Sequence, residues 1–563
     1  MSGGRTTRPE APAGGAARHV VVVGAGPAGL AAARAAADAG ARVTLLDSAD
    51  VLGGQYWRHL PAARPAGREH VLQHGWGTYR GLTDALRAHP GVTVVPSAQV
   101  WSLERLDGGV RLHVFVGEPD AVGRQALSFD PDGLVLATGA HDRTLPFPGW
   151  QLPGVYSAGA AQALAKGERV AVGRRVVVAG AGPFLLPVAS SLLRTGADVV
   201  SVHEASLLGS LARGWLDRPW ELAGAAGKAG ELAGYVAELV RHRVPWRPGE
   251  AVVAAHGDGQ VEAVTVARLD ARWAPVAGTE RLIEADAVAV SHGFTPRLEL
   301  AVAAGCALTP GRFVAVDAAQ ATSVPGVWAA GEITGIGGAG AALAEGVVAG
   351  TAAARGSAAR PGAVGRSGSG GAAGAAGSGS GGTGAEGSRS GGGTRAGRSS
   401  SGVAARAVRA RDQARGFAAR IEAAHGIRGG WVRWLRDDTV VCRCEETTFG
   451  RVREVVDLTG SRETRSVKLT SRAGLGPCQA RMCGRTLQDL LDDGATGTAA
   501  TDGWAADVGD GASGGGACGG PAPGVDRRPI VVPVRLGDLA ALPAPPTSVP
   551  TTSLPEAPQP QET

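Results

Sequence analysis

A chain of 563 residues exceeds one domain, and its length suggests three. Glycine is abundant at 89 residues while aromatics make up only 4%, a balance that suits close strand–helix packing and also marks stretches too poor in apolar residues to fold. The net charge of +5 comes from arginines strewn through Gly-rich stretches without aromatic partners, which excludes a nucleic-acid surface, and no apolar run is long enough to span a bilayer.

The first 18 residues read as a polar, disordered extension with no signal-peptide core, so the expected location is cytoplasmic. His19-Val-Val-Val-Val23 reads as a short buried strand, followed by Gly24-Ala-Gly26-Pro27-Ala28-Gly29 and an Ala-rich helix. A second strand, Arg42 to Leu46, ends in Asp47. Strand, G-x-G-x-x-G, helix, strand and acid is the order a dinucleotide fold needs. Gly24 permits the tight turn, Gly26 lets backbone approach the pyrophosphate, and Gly29 lets the helix pack close. The helix N-terminus then holds the diphosphate, and Asp47 accepts from ribose hydroxyls. The motif alone does not separate FAD from NAD.

Further along, Gly53-Gly54-Gln55 forms a turn, and Gly133-Leu-Val-Leu-Ala-Thr138-Gly139 is a strand running into small residues. Arg175 to Ala179, then Gly180-Ala-Gly182-Pro-Phe-Leu185, repeats the first unit, with Val199 to Val202 and Glu204 as its second strand and acid. Leu185 stands where the third glycine belongs, and Pro187 follows in the first turns of the helix. A leucine there pushes helix from strand, so the fold survives while NAD(P) binding is weakened. Gly326-Val-Trp-Ala-Ala-Gly331-Glu332 is a strand ending beside an acid, before a Gly-rich helix start at 335–340. No cysteine lies after the Gly53-Gly54 turn or in the second unit, the places where disulfide reductases of this architecture keep a redox pair. Cys306 reads as core, Cys518 as a tail thiol, and His141, His203 and His292 as structural. No catalytic residue is identified.

Residues 356–403, almost wholly Gly, Ser, Ala and Arg, read as a disordered linker, and 404–437 as a helical connector. Then come Cys442, Cys444, Cys478 and Cys483, spaced Cys-x-Cys and Cys-x4-Cys around a gap long enough for a helix and a returning strand. Disulfides do not suit a chain with no sign of secretion. A four-thiolate centre does, and the single residue inside the first pair favours a 2Fe–2S cluster over one tetrahedral zinc, which stays the alternative. A strand Thr439 to Cys442 delivers the first pair, Thr447 or Thr448 caps a helix from Phe449, and the second pair opens a helix through Leu487, Leu490 and Leu491. Arg443, Arg472, Arg481 and Arg485 surround the ligands and could offset cluster charge. Residues 495–563 read as a mostly disordered tail with a docking segment at 527–542 that carries Ile530, Val531, Val532, Val534 and Leu536.

The strand ends at Thr138-Gly139 and Gly331-Glu332 and the Gly53-Gly54-Gln55 turn resemble the signatures of two-dinucleotide-domain flavoproteins. That resemblance implies FAD, with Gly54, Gln55, Thr138 and Gly139 beside it and Glu332, in place of the commoner Asp, bonding the ribityl chain. With Pro146-Phe-Pro-Gly-Trp150, Leu152-Pro-Gly-Val-Tyr156, Val441-Cys-Arg-Cys-Glu-Glu446 and Gly476-Pro-Cys-Gln479, the chain resembles the FAD and iron–sulfur α-type subunits of heteromeric amino- and imino-acid dehydrogenases. The opine oxidase A-type chain, the hydrogen cyanide synthase B-type chain and the D-hydroxyproline dehydrogenase α chain are members. The C-terminal module resembles bacterioferritin-associated ferredoxin.

The implied fold is α/β: a Rossmann-like FAD domain (19–150 and 288–355) with an inserted NAD-like domain (151–287), plus a small α+β 2Fe–2S domain (438–494). The implied partners are a flavin-containing β dehydrogenase subunit and, in many such assemblies, a small plant-type 2Fe–2S subunit. Two other readings are a stand-alone NAD(P)H-dependent ferredoxin or quinone reductase and a non-catalytic assembly protein with a four-cysteine zinc site.

Overall fold

The computed structural model describes residues 17–492, apart from 62, 65, 66, 68, 120, 218–225 and 357–394, together with 530–542. The expected N-terminal extension, most of the linker, Cys518 and the segments 500–526 and 543–563 lie outside the described residues.

The Val-rich runs form two parallel sheets, because strands covered on both faces, by helices on one and by an antiparallel meander on the other, need apolar side chains on both. The first is ordered β18-β7-β1-β2-β3, from β1 (His19–Val23), β2 (Arg42–Leu46), β3 (Val92–Val95), β7 (Gly133–Leu136) and β18 (Val327–Ala329). Val20, Val21 and Val22 are fully buried in it. Between β3 and β7 an antiparallel meander of β4 (Ala98–Leu106), β5 (Gly109–Val116) and β6 (Gln125–Phe129) packs against one face of it. Helices Pro27–Asp38 and Gly338–Arg355 cross at backbone contact. A Cβ on Gly346 or Gly350 would stand 2.2 or 2.1 Å from the carbonyl oxygens of Ala28 and Ala32.

The second sheet is ordered β12-β11-β10-β16-β9, with β9 (Val155–Ser157), β10 (Arg175–Gly180), β11 (Asp198–Glu204), β12 (Trp246–Pro248) and β16 (Ala287–Ser291). An antiparallel meander, β13 (Glu250–His256), β14 (Ala263–Arg268) and β15 (Arg281–Glu284), covers it. The expected boundary at 287 moves: β16 pairs with β10 along its length, so the chain returns to the first unit only after Ser291. That return is β17 (Phe294–Pro296), antiparallel to the outgoing β8 (Ala140–Asp142).

The linker is also shorter than expected. A helix runs from Arg395 to His425, overlapping 395–403, because Ala and Arg among the small residues sustain helix once one face has something to pack on. It lies across the helices Gly338–Arg355 and Leu208–Leu216. A Cβ on Gly214 would stand 2.5 Å from the Ala424 nitrogen, so the crossing is close.

The C-terminal unit holds β19 (Val440–Cys442), β20 (Thr447–Thr448) and helices Phe449–Thr459, Thr464–Ser471 and Gly484–Asp492. Thr448 caps the first helix, accepting from the Arg451 nitrogen at 3.3 Å. The gap between the cysteine pairs therefore holds the short β20, antiparallel to β19, and two helices. The last helix begins at Gly484, after the second cysteine pair rather than at it.

Candidate functional site

At the first phosphate loop the backbone needs each glycine for a different reason. Gly24 has φ +101°, and a Cβ there would meet the Ala137 oxygen at 2.3 Å. A Cβ on Gly29 would stand 1.7 Å from the Gly24 oxygen. Gly26 is extended (φ −72°, ψ −173°) and caps the helix, with Pro27 opening the first turn, where a missing N–H costs no bond. Its Cβ would meet nothing nearer than the Gly54 Cα at 4.0 Å. Gly54 closes the other side with φ +59°. The result is a backbone-walled cradle at a helix N-terminus, the shape and polarity a diphosphate takes.

Asp47 follows β2 with one carboxylate oxygen on the Ala49 nitrogen at 2.8 Å and the other on the Ala25 nitrogen. Burial pushes its pKa up, and those two N–H groups oppose the rise. Thr138 donates from Oγ1 to the Arg297 carbonyl at 2.8 Å, and the Gly139 carbonyl accepts from the Arg297 nitrogen at 3.0 Å. Gly331 has φ +83° and donates to Glu345 at 2.9 Å, and half-buried Glu332 accepts from the Gly338 nitrogen at 3.2 Å. Gln55 accepts from Arg58 Nε at 3.1 Å. All of these positions surround the C-terminal edge of the first sheet and fit a flavin dinucleotide.

The second loop departs from the first. Gly180 (φ +139°) and Gly182 (φ +107°) keep the turn, but the helix begins only at Leu185, leaving Pro183 and Phe184 in a turn. Leu185 is 1% exposed, in the core with Val176 and Val178. Glu204, 2% exposed, accepts from the nitrogens of Gly182 at 2.9 Å and Ser206 at 3.0 Å. His425, from the end of the long connector helix, lies 3.2 Å from the same carboxylate and accepts from Trp215 Nε1 at 3.2 Å. The acid that would hold a nucleotide ribose is thus covered by the connector.

The two loops bring the four cysteines together as two pairs, Cys442 with Cys483 and Cys444 with Cys478. Cys483 donates its S–H to Cys442, which is pushed down to about 6 by that bond and by the Gly474 N–H, 3.3 Å from its sulfur. Cys483 is pushed up, first by the same bond and then by burial and the charge of the other three thiols. Cys444 is pushed up, first by burial, with the Cys478 thiol beside it. Among the described residues no three His, Cys, Asp or Glu side chains close around one point; the thiols meet as two pairs. Glu446, Arg472, Gln479 and Ala480 all have positive φ, so strained backbone wraps the site. Cys442 and Cys483 are buried while Cys444 is exposed, which gives the centre an inner and an outer side. Four thiols and an inward N–H fit an iron–sulfur cluster.

Of the arginines expected to offset its charge, three bond carboxylates: Arg472 to Glu445 at 2.8 Å, Arg481 to Glu299 at 3.0 Å and Arg485 to Asp489 at 3.2 Å. Arg443 lies over the Trp150 ring at 5.1 Å and donates to the Gln151 carbonyl at 3.3 Å.

The cluster unit is seated on the flavin unit by contacts the sequence did not announce. Trp150 Nε1 donates to the Val440 carbonyl, His141 Nε2 bonds the Arg481 carbonyl at 2.9 Å, and Arg143 pairs with Asp489. The connector's Trp434 meanwhile donates to the Trp273 carbonyl of the second unit at 2.9 Å. Glu345 is the main residue missed: it takes the Gly331 N–H, the Thr334 hydroxyl at 2.7 Å and Arg415 of the connector at 3.0 Å. Its only signal was an acid inside an otherwise Ala- and Gly-rich helix. His203 is buried between Ser201 at 2.8 Å and Glu250 at 3.0 Å, and Cys306 lies in the core against Thr322.

The docking segment docks, but onto its own chain. Val531 is 4% exposed, its nitrogen bonds the Trp101 carbonyl at 2.8 Å, and Asp538 pairs with Arg124 at 2.8 Å. The segment is extended and then helical over Leu536–Ala540, with no ladder, and Leu536 faces solvent.

A family model described as pyridine nucleotide-disulphide oxidoreductase matches residues 18–355, and one described as a BFD-like [2Fe-2S] binding domain matches 440–493. The A-type chain of opine oxidase from Rhizobium meliloti is 30% identical over 487 residues, covering 84% of this chain and 81% of that protein. The HcnB chain of hydrogen cyanide synthase from Pseudomonas protegens is 31% identical over 487 residues, 84% of this chain and 91% of that protein. Among solved structures, L-proline dehydrogenase from P. horikoshii shares the fold, with a TM-score of 0.53 at 17% identity over 84% of this chain and 73% of that one. No helix among the described residues is long and apolar enough to cross a membrane. The chain belongs to the pyridine nucleotide-disulphide oxidoreductase family, with the opine oxidase A-type and hydrogen cyanide synthase B-type chains, and is an FAD-dependent oxidoreductase with a 2Fe–2S cluster.

Proposed function

We propose that this chain is the electron-transferring subunit of a multisubunit dehydrogenase or oxidase of a secondary amine, amino or imino acid, of the class of D-hydroxyproline, proline or an opine. One observation carries the reading. A complete flavin-type phosphate loop and a four-thiol centre share one packed body, and the thiol loop touches β8 just past Gly139.

In this reading Gly24, Gly26, Pro27, Ala28 and Gly29 seat the diphosphate and Asp47 the ribose. Gly54, Gln55, Thr138 and Gly139 line the flavin side, Gly331 and Glu332 face the ribityl chain, and the four cysteines hold the cluster. Bound there, FAD splits a two-electron input into single-electron steps that a cluster can carry. The chain's own part is to orient the two centres and shield their inner sides from water. Glu345 fixes the Gly331 turn, and Cys442 and Cys483 sit against the core.

Substrate oxidation falls to a partner, a flavin-containing β subunit, with a small plant-type 2Fe–2S protein as a candidate onward carrier. The relatives are themselves named as subunits, which supports such partners. The test is co-purification with the products of neighbouring genes and a screen of amino and imino acids against an artificial acceptor. Turnover by the complex is expected; NADH-driven turnover by the lone chain would favour a reductase instead.

A further inference from the structure

We infer that Arg481 is the positioning residue that locks the four-thiol loop to the flavin unit, with the C-terminal segment 530–542 as the third member of the brace. Arg481 lies between the ligands Cys478 and Cys483, in a loop bent by positive φ at Gln479 and Ala480. Its side chain makes a separate contact through each guanidinium nitrogen. Nε lies 3.0 Å from Glu299, at the start of the helix Glu299–Ala304 beside β17. Nη1 donates to the Cys478 carbonyl at 3.0 Å, and Nη2 donates to the Val531 carbonyl. Its own carbonyl accepts from His141 of β8 at 2.9 Å. Through Val531 the tie continues to Trp101 of β4, and through Asp538 to Arg124.

A planar guanidinium can satisfy three acceptors at fixed angles at once; an ammonium on a flexible stem holds no such fork. The flavin unit, the ligand loop and the tail are therefore set relative to one another by a single side chain. Placement matters because transfer between two held centres is sensitive to shifts on the order of 1 Å. The charges matter too. Removing Arg481 takes a positive charge from between the two ligands Cys478 and Cys483, which disfavours adding an electron to the cluster. Without the Glu299 charge the effect has the opposite sign.

The inference rests on the electron-relay reading, and its test separates the two. Full-length chain loaded with FAD and iron is prepared as wild type, Arg481→Ala, Arg481→Lys, Glu299→Gln and a control, Arg453→Ala, which removes the Asp437 ion pair elsewhere in the cluster unit. Flash reduction of the flavin gives the flavin-to-cluster rate, EPR titration the cluster potential, and hydrogen exchange the protection of the Val531 amide. Arg481→Ala is expected to slow transfer at least tenfold, lower the potential and speed exchange at Val531, with Arg481→Lys intermediate. Glu299→Gln should raise the potential, and the control should match wild type. Wild-type rate, potential and exchange in iron-replete Arg481→Ala overturn the inference. Should that variant lose its iron, an unchanged rate and potential in Glu299→Gln overturn it instead. No flavin-to-cluster transfer in wild type would sink the relay reading alone, because the exchange at Val531 still reports whether Arg481 braces the tail.

Discussion

The side of Gly26 where a Cβ would point is open up to the Gly54 Cα, whereas at Gly29 the same atom would collide with the Gly24 carbonyl. The two substitutions should therefore fail differently. Gly26→Val is accommodated by an extended backbone, so the thermal midpoint should hold within a few degrees while the FAD released by heating the protein falls to near zero. Gly29→Val should lose the fold of the first unit, seen as loss of cooperative melting. These glycines were legible because each answers to a local rule about turns and close approach. Glu345 was not, since its partners lie far along the chain and no local pattern marks it, and Arg481 was legible only as a charge beside the ligands, not as a tie to Glu299 and Val531. His292 illustrates another residue-scale effect. Burial, with Arg143 nearby, pushes its pKa down to about 3 from the usual 6.5. The unfolded state takes up its proton near pH 6.5 and the folded state only near pH 3. Its destabilising effect is thus absent above pH 6.5 and grows as pH falls towards 3, reaching the order of a few kcal/mol. His292→Asn, which can still accept from the Leu145 nitrogen, should give a flatter fall of the calorimetric midpoint between pH 6.5 and 4. An unchanged slope would count against this account.

Among the elements, the two phosphate loops differ where it counts for a nucleotide. One helix starts at Pro27, directly behind Gly26; the other starts at Leu185 behind a turn, and the connector helix brings His425 onto Glu204. NADH and NADPH are accordingly expected to leave the flavin oxidised in stopped-flow mixing; stoichiometric bleaching would show that the loop works despite Leu185. The sequence revealed the missing glycine but not the cover, which comes from a helix more than two hundred residues away in the chain. The cluster loops were the more legible part, because Cys-x-Cys and Cys-x4-Cys leave little freedom in what four thiols can do. Each of Cys442→Ser, Cys444→Ser, Cys478→Ser and Cys483→Ser should lower bound iron, while Cys306→Ala should leave it unchanged, at a cost of about 1 kcal/mol from lost packing. Full iron content in any ligand variant would remove that cysteine from the set.

At the scale of the molecule, an apolar tail segment can serve a partner or the chain itself. Its packing favours the chain: Val531 fills a gap in the core shared by the first sheet and the β4–β6 meander, and Asp538 meets Arg124 where neither side chain sees much water. A segment so occupied has little apolar surface left to offer, apart from Leu536. The surface that binds a substrate-oxidising subunit should therefore lie elsewhere, and two consequences can be separated. The isolated chain, loaded with both cofactors, should oxidise no amine; it is expected to gain amine-dependent reduction of its cluster only when co-expressed with the proposed flavoprotein partner. Deleting 527–563 should leave that complex intact on size-exclusion chromatography while lowering the thermal midpoint of the chain by a few degrees, because the lost contacts are internal. Loss of the complex on deletion, with the midpoint unchanged, would return the segment to the partner interface. Amine turnover by the lone monomer would place a substrate site within this chain and end the two-subunit reading.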